Sequence, residues 1–216
     1  MSRYYPVMLR IENRSCLIVG GGAVGVRKAE ALLLAGAEVT VVSIDASHEL
    51  ADLEATGKIR VMHEPYHANM LDGMDLVFAA TNNTAVNAQI TQEAQAAGLL
   101  VNSADAPDTG SFIVPATVRR GDLCLSISTG SASPKLAARI RRELEARFPE
   151  NYALYIEVLA TMRNAVKQMT ESPEQRGRAL EALLDHEADI RIAIEADGAE
   201  AALEKARSIA VRAMEQ

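Results

Sequence analysis

The sequence predicts an α/β protein: an N-terminal parallel sheet flanked by helices, then a small α+β segment, then a C-terminal helical domain. Three observations carry this. Short apolar, β-branched runs alternate with helical patterns through residues 1–115, the mark of parallel strands joined by crossover helices. Beyond Pro115 the pattern changes to two strands around a turn and then a helix. From residue 151 onward no strand signal remains, and apolar residues recur at helical spacing. The expected parts are therefore 1–115, 116–150 and 151–216.

Each element has a local reason. Residues 16–19 form a short buried strand that runs straight into Gly20-Gly21-Gly22-Ala23-Val24-Gly25. A helix over 24–35 follows, with Ala29, Leu32 and Leu33 at helical spacing and Gly36 as its stop. Residues 38–42 are a β-branched strand, which completes one βαβ unit. Strands are expected again at 59–63, at 76–80 and at 99–102, and a helix at 84–97 with Asn83 or Thr84 as N-cap. Residues 112–113 and 116–118 look extended, 119–122 a hairpin turn, 123–128 a strand, and Thr129-Gly130-Ser131 a loop. Ser133 and Pro134 open a helix that runs to about residue 147. Three amphipathic stripes follow: Tyr155, Leu159, Met162, Val166 and Met169; then Leu180, Leu183, Leu184, Ile190 and Ile194, broken by Gly198; then Leu203, Ala206, Ile209 and Ala213.

Composition narrows the function. The formal charge is −7 and aromatics are 4% with no Trp, which argues against nucleic-acid binding. The charge is uneven: −6 over 1–115, +3 over 116–150 and −4 over 151–216. A basic segment inside an acidic chain suits a small anionic ligand, or is a solvated helix face. Cys16 and Cys124 lie in apolar runs, which fits buried thiols in a reducing compartment, and no cysteine or histidine cluster has metal-ligand spacing. Residues 1–6 lack the form of a signal peptide, and no apolar run approaches the roughly 20 residues of a membrane helix. No membrane is expected, and the expected location is the cytoplasm.

Gly20-x-Gly22-x-x-Gly25 lies between a buried strand and a helix, where the dinucleotide fingerprint of a Rossmann domain belongs. Gly20 allows the tight turn, Gly22 lets backbone approach a pyrophosphate, and Gly25 lets helix and strand pack closely. With Ala23 and Val24, these residues present the helix N-terminus to the phosphates. The carboxylate that commonly ends the second strand is replaced by Ser43, which suits a ribose hydroxyl or a phosphate alike. Both NAD and NADP stay open, with NAD favoured because no Arg follows the strand. Thr81-Asn82-Asn83 lies at a carboxyl strand end, where short polar residues contact a cofactor or cap a helix. Asp105 follows the next strand and is expected near the nicotinamide end of the cleft, to take up a proton as a hydride leaves or to make an Asx turn before Pro107.

Four ordered stretches resemble the precorrin-2 dehydrogenase family, also seen as the N-terminal half of multifunctional sirohaem synthases. They are Pro6-Val7-Met8-Leu9 with 16–28; Ala79-Ala80-Thr81-Asn82-Asn83 with Val86-Asn87; Asn102-Ser103-Ala104-Asp105-Ala106-Pro107 with 111–115; and Ile127-Ser128-Thr129-Gly130 with 133–137. The resemblance implies oxidation of precorrin-2 to sirohydrochlorin with hydride passing to NAD+, and in some members insertion of ferrous iron as well. It implies a homodimer whose middle segment forms the contact, and it places the family's key aspartate on Asp105. The substrate's carboxylates would then be bound by Ser128, Thr129, Ser133, Lys135 and Arg139, guanidinium forks and hydroxyls being suited to carboxylates. Thr129 stands where the family can carry a serine. A chain of 216 residues leaves no room for a methyltransferase half, so only the later step or steps are implied. His63, His67 and His186 are expected to be ordinary histidines, and no metal site is expected. A non-catalytic NAD(H) sensor acting through the helical tail is the remaining alternative.

Overall fold

The structure, a computed structural model, describes residues 4–130 and 132–215; residues 1–3, Ser131 of the expected loop and Gln216 lie outside the described residues. The chain forms two compact units, Met1–Val114 and Pro115–Gln216.

The N-terminal unit carries five parallel strands: β1 (Ser15–Val19), β2 (Glu38–Val42), β3 (Ile59–Met62), β4 (Leu76–Ala79) and β5 (Leu100–Ser103). Their order is β3-β2-β1-β4-β5, so the chain winds outward one way from β1 and then the other way from β4. This is a Rossmann sheet, and the reversal opens a crevice at the carboxyl ends of β1 and β4. The helices are α1 (Ala23–Leu34), α2 (His48–Ala55) and α3 (Thr84–Ala96).

β1 reads as an unbroken apolar run because both of its faces are buried. Cys16 and Ile18 pack with Val26, Ala29 and Leu32 of α1, while Leu17 and Val19 pack with Ile90 and Ala94 of α3. Fully burying one such side chain contributes about 1.5–3 kcal/mol, so β1 is the strand on which both layers close. Burial also pushes the Cys16 thiol up to about 11, with Asp75 adding to it, which makes it an inert packing group.

Two local readings change. Residues 112–113 form no strand. The Asn102 amide donates to the Phe112 carbonyl at 3.0 Å, Ser111 N–H donates to the Val101 carbonyl at 2.7 Å, and Phe112 meets Phe78 edge-on at 5.5 Å. A side-chain clip and an aromatic contact therefore hold this stretch in place of a ladder. The sequence reading passed over α2, of which only Leu50 is buried.

The C-terminal unit begins with a hairpin of β6 (Ala116–Arg120) and β7 (Leu123–Ile127), turning at Gly121 with φ +57°. Like Arg119, Arg120 belongs to the strand and not to the turn. Its guanidinium donates to the Phe148 carbonyl at 2.7 Å and pairs with Glu150 at 3.2 Å, tying the hairpin to the end of α4 (Pro134–Arg147). Three more helices follow: α5 (Tyr152–Met169), α6 (Pro173–Asp185) and α7 (Glu187–Glu215), the last interrupted at Gly198, φ 84°. Their core includes Tyr155, Met162, Val166, Leu183, Ile190 and Ile209. Leu184 is 54% exposed, against the expected stripe. Ala179 and Leu183 mark the buried face of α6, and Leu184 stands about 100° round the helix from Leu183. Among the described residues, no helix is long and apolar enough to cross a membrane.

Candidate nucleotide-binding and catalytic site

The glycine turn joins β1 to α1, and its glycines are needed for different reasons. Gly20 has φ +124°, and a Cβ there would lie 2.3 Å from the Ala80 carbonyl oxygen. A Cβ on Gly25 would lie 2.0 Å from the Gly20 carbonyl oxygen. On Gly21 it would meet the Ser43 hydroxyl at 2.6 Å and the Asp45 carbonyl at 2.8 Å. These three are glycine because protein fills the space. Gly22 differs: a Cβ there meets no protein atom within 4 Å, and its φ of −84° suits any residue. No protein atom occupies the space beside it, which is wide enough for a pyrophosphate to lie against the backbone. Gly22 also caps α1 without any side-chain hydrogen bond, so the first-turn N–H groups of Ala23, Val24 and Gly25 stay available to phosphate oxygens.

The turn forms one wall of a cleft of about 540 Å³. Ser43, Ile44 and Asp45 line it from the end of β2, Glu64 and Tyr66 from beyond β3, and Thr81, Asn82 and Asn83 from beyond β4. Ser43 donates to the Asp45 carbonyl at 2.9 Å, so its hydroxyl is already committed within the loop. Two carboxylates, Asp45 and Glu64, and no lysine or arginine line the cleft among the described residues. Tyr66 donates to Glu93 at 2.8 Å; burial and that carboxylate push its phenol well above the usual range, so the ring stays neutral.

Asn83 is the N-cap of α3: its Oδ1 accepts from the N–H groups of Ala85 at 3.0 Å and Val86 at 3.3 Å. Thr81 donates to Asn87 Oδ1 at 2.7 Å. Asp105 sits past the end of β5, where its Oδ1 accepts from the Ser103 hydroxyl at 2.9 Å. Such burial as it has pushes its carboxyl up. Hydrogen bonds from the Asn87 amide, the Ser103 hydroxyl and the N–H groups of Asp105 and Ala106 outweigh this and hold it below the ordinary range. It is a carboxylate at neutral pH, able to accept a proton.

Asp105 does not line the nucleotide cleft. It lines a neighbouring cavity of about 460 Å³ together with Thr91, Gln92, Gln95, Ser103 and Thr109. Asn87, buried against the Thr81 loop, has no role in the sequence reading, nor have Gly21, Glu64, Tyr66 and Ser103. Long-range packing sets their roles, and only the buried polar character of Asn87 and Ser103 (1% and 2% exposed) signals them.

The remaining candidates lie in the C-terminal unit around the start of α4. The Ser128 hydroxyl accepts from Gly130 N–H at 3.1 Å, the Thr129 hydroxyl from Ser133 N–H at 3.1 Å, and the Ser133 hydroxyl from Leu136 N–H at 3.2 Å. Each hydroxyl keeps its own proton to donate while its oxygen orders the loop. Lys135 and Arg139 are exposed, and Arg139 pairs with Glu143 at 3.0 Å. His63 lies 3.8 Å from Glu54 and His186 lies 2.9 Å from Asp189, both on the surface. Among the described residues, no three metal-ligating side chains come together.

Comparison with known proteins agrees with this geometry. Residues 7–116 match the family described as putative NAD(P)-binding, and residues 120–147 match the sirohaem biosynthesis protein central family. The chain is 36% identical over 210 residues to a sirohaem synthase of Methylococcus capsulatus, covering 97% of this chain and 44% of that protein. It is 40% identical over 171 residues to a sirohaem synthase of Methylobacillus flagellatus, covering 79% of this chain and 37% of that one. The chain thus spans less than half the length of these relatives. Among solved structures it is similar to SirC, a precorrin-2 dehydrogenase, with a TM-score of 0.72 and 29% identity over 99% of this chain and 100% of that one. A likeness that runs through the nucleotide unit, the central sirohaem segment and the whole fold places this chain in the precorrin-2 dehydrogenase family.

Proposed function

We propose that this protein oxidises precorrin-2 to sirohydrochlorin with NAD+ as hydride acceptor. The observation that carries the reading is the vacant approach at Gly22, beside a helix N-terminus that no side chain caps. A bound nicotinamide supplies the two-electron acceptor. The substrate loses a hydride and a proton, and Asp105, ionised and open to solvent, takes the proton and passes it to water. Asp45 and Glu64 favour NAD+ over NADP+, because a 2′-phosphate in the cleft would face two carboxylates and no cation.

Ser128, Thr129, Ser133, Lys135 and Arg139 bind the carboxylates of the tetrapyrrole in this reading. The exposed i,i+4 pair of Arg139 with Glu143 is worth only about 0.3–0.5 kcal/mol, so a substrate carboxylate displaces it readily. Residues 116–150 act as the dimerisation and substrate segment, 151–216 as a helical domain, and the working form is a cytoplasmic homodimer. A second reading, ferrous-iron insertion into sirohydrochlorin, is favoured by the ionised state of Asp105, which suits accepting protons from pyrrole N–H groups as the metal enters.

The test is anaerobic mixing of protein and precorrin-2 with NAD+ or NADP+, first without and then with ferrous iron, following the tetrapyrrole absorbance. Sirohydrochlorin is expected with NAD+ in preference to NADP+, and sirohaem on adding iron supports the second reading. Bound NAD+ with unchanged precorrin-2 overturns the enzyme reading and leaves a nucleotide sensor.

A further inference from the structure

Gly21 stands between two glycines of the dinucleotide fingerprint, at a position the fingerprint leaves free. The structure gives it a separate reason to be bare. Gly21 is buried, and a Cβ there would lie 2.6 Å from the Ser43 hydroxyl, 2.8 Å from Ser43 Cβ and 2.8 Å from the Asp45 carbonyl oxygen. Its own carbonyl accepts from Ser47 N–H at 3.1 Å. The loop after β2, residues 43–47, therefore lies directly on the glycine turn. Ser43 closes this loop on itself: its hydroxyl donates to the Asp45 carbonyl at 2.9 Å across a bend at Ile44 and Asp45.

The bend decides where the Asp45 carboxylate stands. In a Rossmann domain the carboxylate that bonds the cofactor's ribose commonly ends the second strand. Here Ser43 holds that place, and Asp45 comes two residues later. Two extended residues would carry Asp45 about 7 Å past the strand end, away from the glycine turn. The bend instead returns it to the cleft wall that it shares with Gly20, Gly21 and Gly22. The one proton of the Ser43 hydroxyl is already bonded to Asp45, so Ser43 has none to offer a nucleotide. We infer that Gly21 and Ser43 are positioning residues for cofactor choice. Gly21 admits the loop and Ser43 holds its bend. Together they set the Asp45 carboxylate against the adenosine ribose, where it accepts from the 2′-hydroxyl of NAD+ and repels the 2′-phosphate of NADP+. The inference rests on the proposed use of NAD+ in this cleft.

The test measures NAD+ and NADP+ Kd by titration calorimetry on the full chain carrying Ser43→Ala, Asp45→Ala or both. Ser43→Ala keeps the carboxylate and removes its tether. The NAD+ Kd is expected to rise about 3- to 10-fold, while the NADP+ Kd rises less than about twofold, so the preference for NAD+ shrinks. Asp45→Ala shrinks it further. In the double variant Ser43→Ala adds less than about twofold to the effect of Asp45→Ala, because a tether without its carboxylate has nothing to position. Gly21→Ala pushes the loop off the turn: the Ser47 amide exchanges its hydrogen faster in the free protein, and the preference falls. Where Gly21→Ala fails to fold, Ser43→Ala decides alone. A folded Ser43→Ala with the wild-type preference, or additive losses in the double variant, overturns the inference. So does a preference that survives Asp45→Ala, which would assign it to Glu64. Each of these leaves NAD+ binding in place, whereas a wild type that binds neither nucleotide overturns the functional reading and the inference with it.

Discussion

Replacing Gly22 with Ala separates a glycine kept for a ligand from glycines kept for the fold. In the free protein the new methyl meets no atom within 4 Å and the backbone is unstrained at φ −84°. The expected stability cost is that of a slightly poorer N-cap, about 1 kcal/mol or less, which lowers the melting midpoint by about 2–4 °C at this chain length. The same methyl fills the approach of the pyrophosphate. Losing one backbone N–H bond to a charged group costs about 1.5–3 kcal/mol, so the NAD+ Kd rises roughly 10- to 150-fold. Gly25→Ala is the contrast: its methyl would sit 2.0 Å from the Gly20 carbonyl oxygen. Relief of that overlap costs about 3 kcal/mol, and the midpoint falls by about 6–12 °C. Titration calorimetry with NAD+ and thermal melting give both numbers. Wild-type NAD+ affinity in Gly22→Ala would refute the assignment of that space to the cofactor.

Other perturbations give separate readouts. Asp105→Asn is expected to lower kcat for precorrin-2 oxidation by about 10²–10⁴ and leave NAD+ affinity at the wild-type value; undiminished turnover removes Asp105 from the chemistry. Asn83→Ala removes the acceptor for Ala85 and Val86 N–H and is expected to cost about 1 kcal/mol, read as a lower urea midpoint at unchanged slope. Lys28 lies over the Phe78 ring at 5.3 Å; burial, and then the charge of Arg27, lower its ammonium from 10.5 to about 8. Between those pH values the unfolded chain holds a proton that the folded chain has released, so the Lys28 contribution to stability rises with pH across that window. Urea unfolding at pH 8 and pH 10 is expected to show a smaller pH-dependent gain in Lys28→Met than in wild type; equal gains contradict it.

What was legible in the sequence depended on how local its cause was. β1 and the glycine turn could be read because a strand buried on both faces must be continuously apolar, and because Gly20, Gly22 and Gly25 fall at fixed spacing after it. Ser133 and Asn83 were readable as caps because a cap bonds within two or three residues of itself. The need for Gly21 was hidden: it arises from Ser43 and Asp45, more than 20 positions away. Asn87 stood in a motif without a role, since its bonds to Thr81 form only when the loop after β4 folds back on the first turn of α3. Leu184 was assigned inward because Leu183 and Leu184 are adjacent, and spacing alone does not say which of them centres the buried face of α6. Asp105 was expected beside the nucleotide cleft, whereas it lines a neighbouring cavity with Thr91, Gln92 and Gln95 of α3, a placement that depends on how the helix seats on the sheet.

The most direct measurement follows the hydrogen itself. Precorrin-2 deuterated at the carbons it oxidises is mixed anaerobically with the protein and NAD+, and the nucleotide and tetrapyrrole are analysed by mass spectrometry. The expected result is one deuterium on the reduced nicotinamide for each sirohydrochlorin formed, with both products forming more slowly in Gly22→Ala at NAD+ concentrations that just saturate wild type. Sirohydrochlorin that forms while the nucleotide stays oxidised and unlabelled would contradict hydride transfer to a cofactor held at the glycine turn.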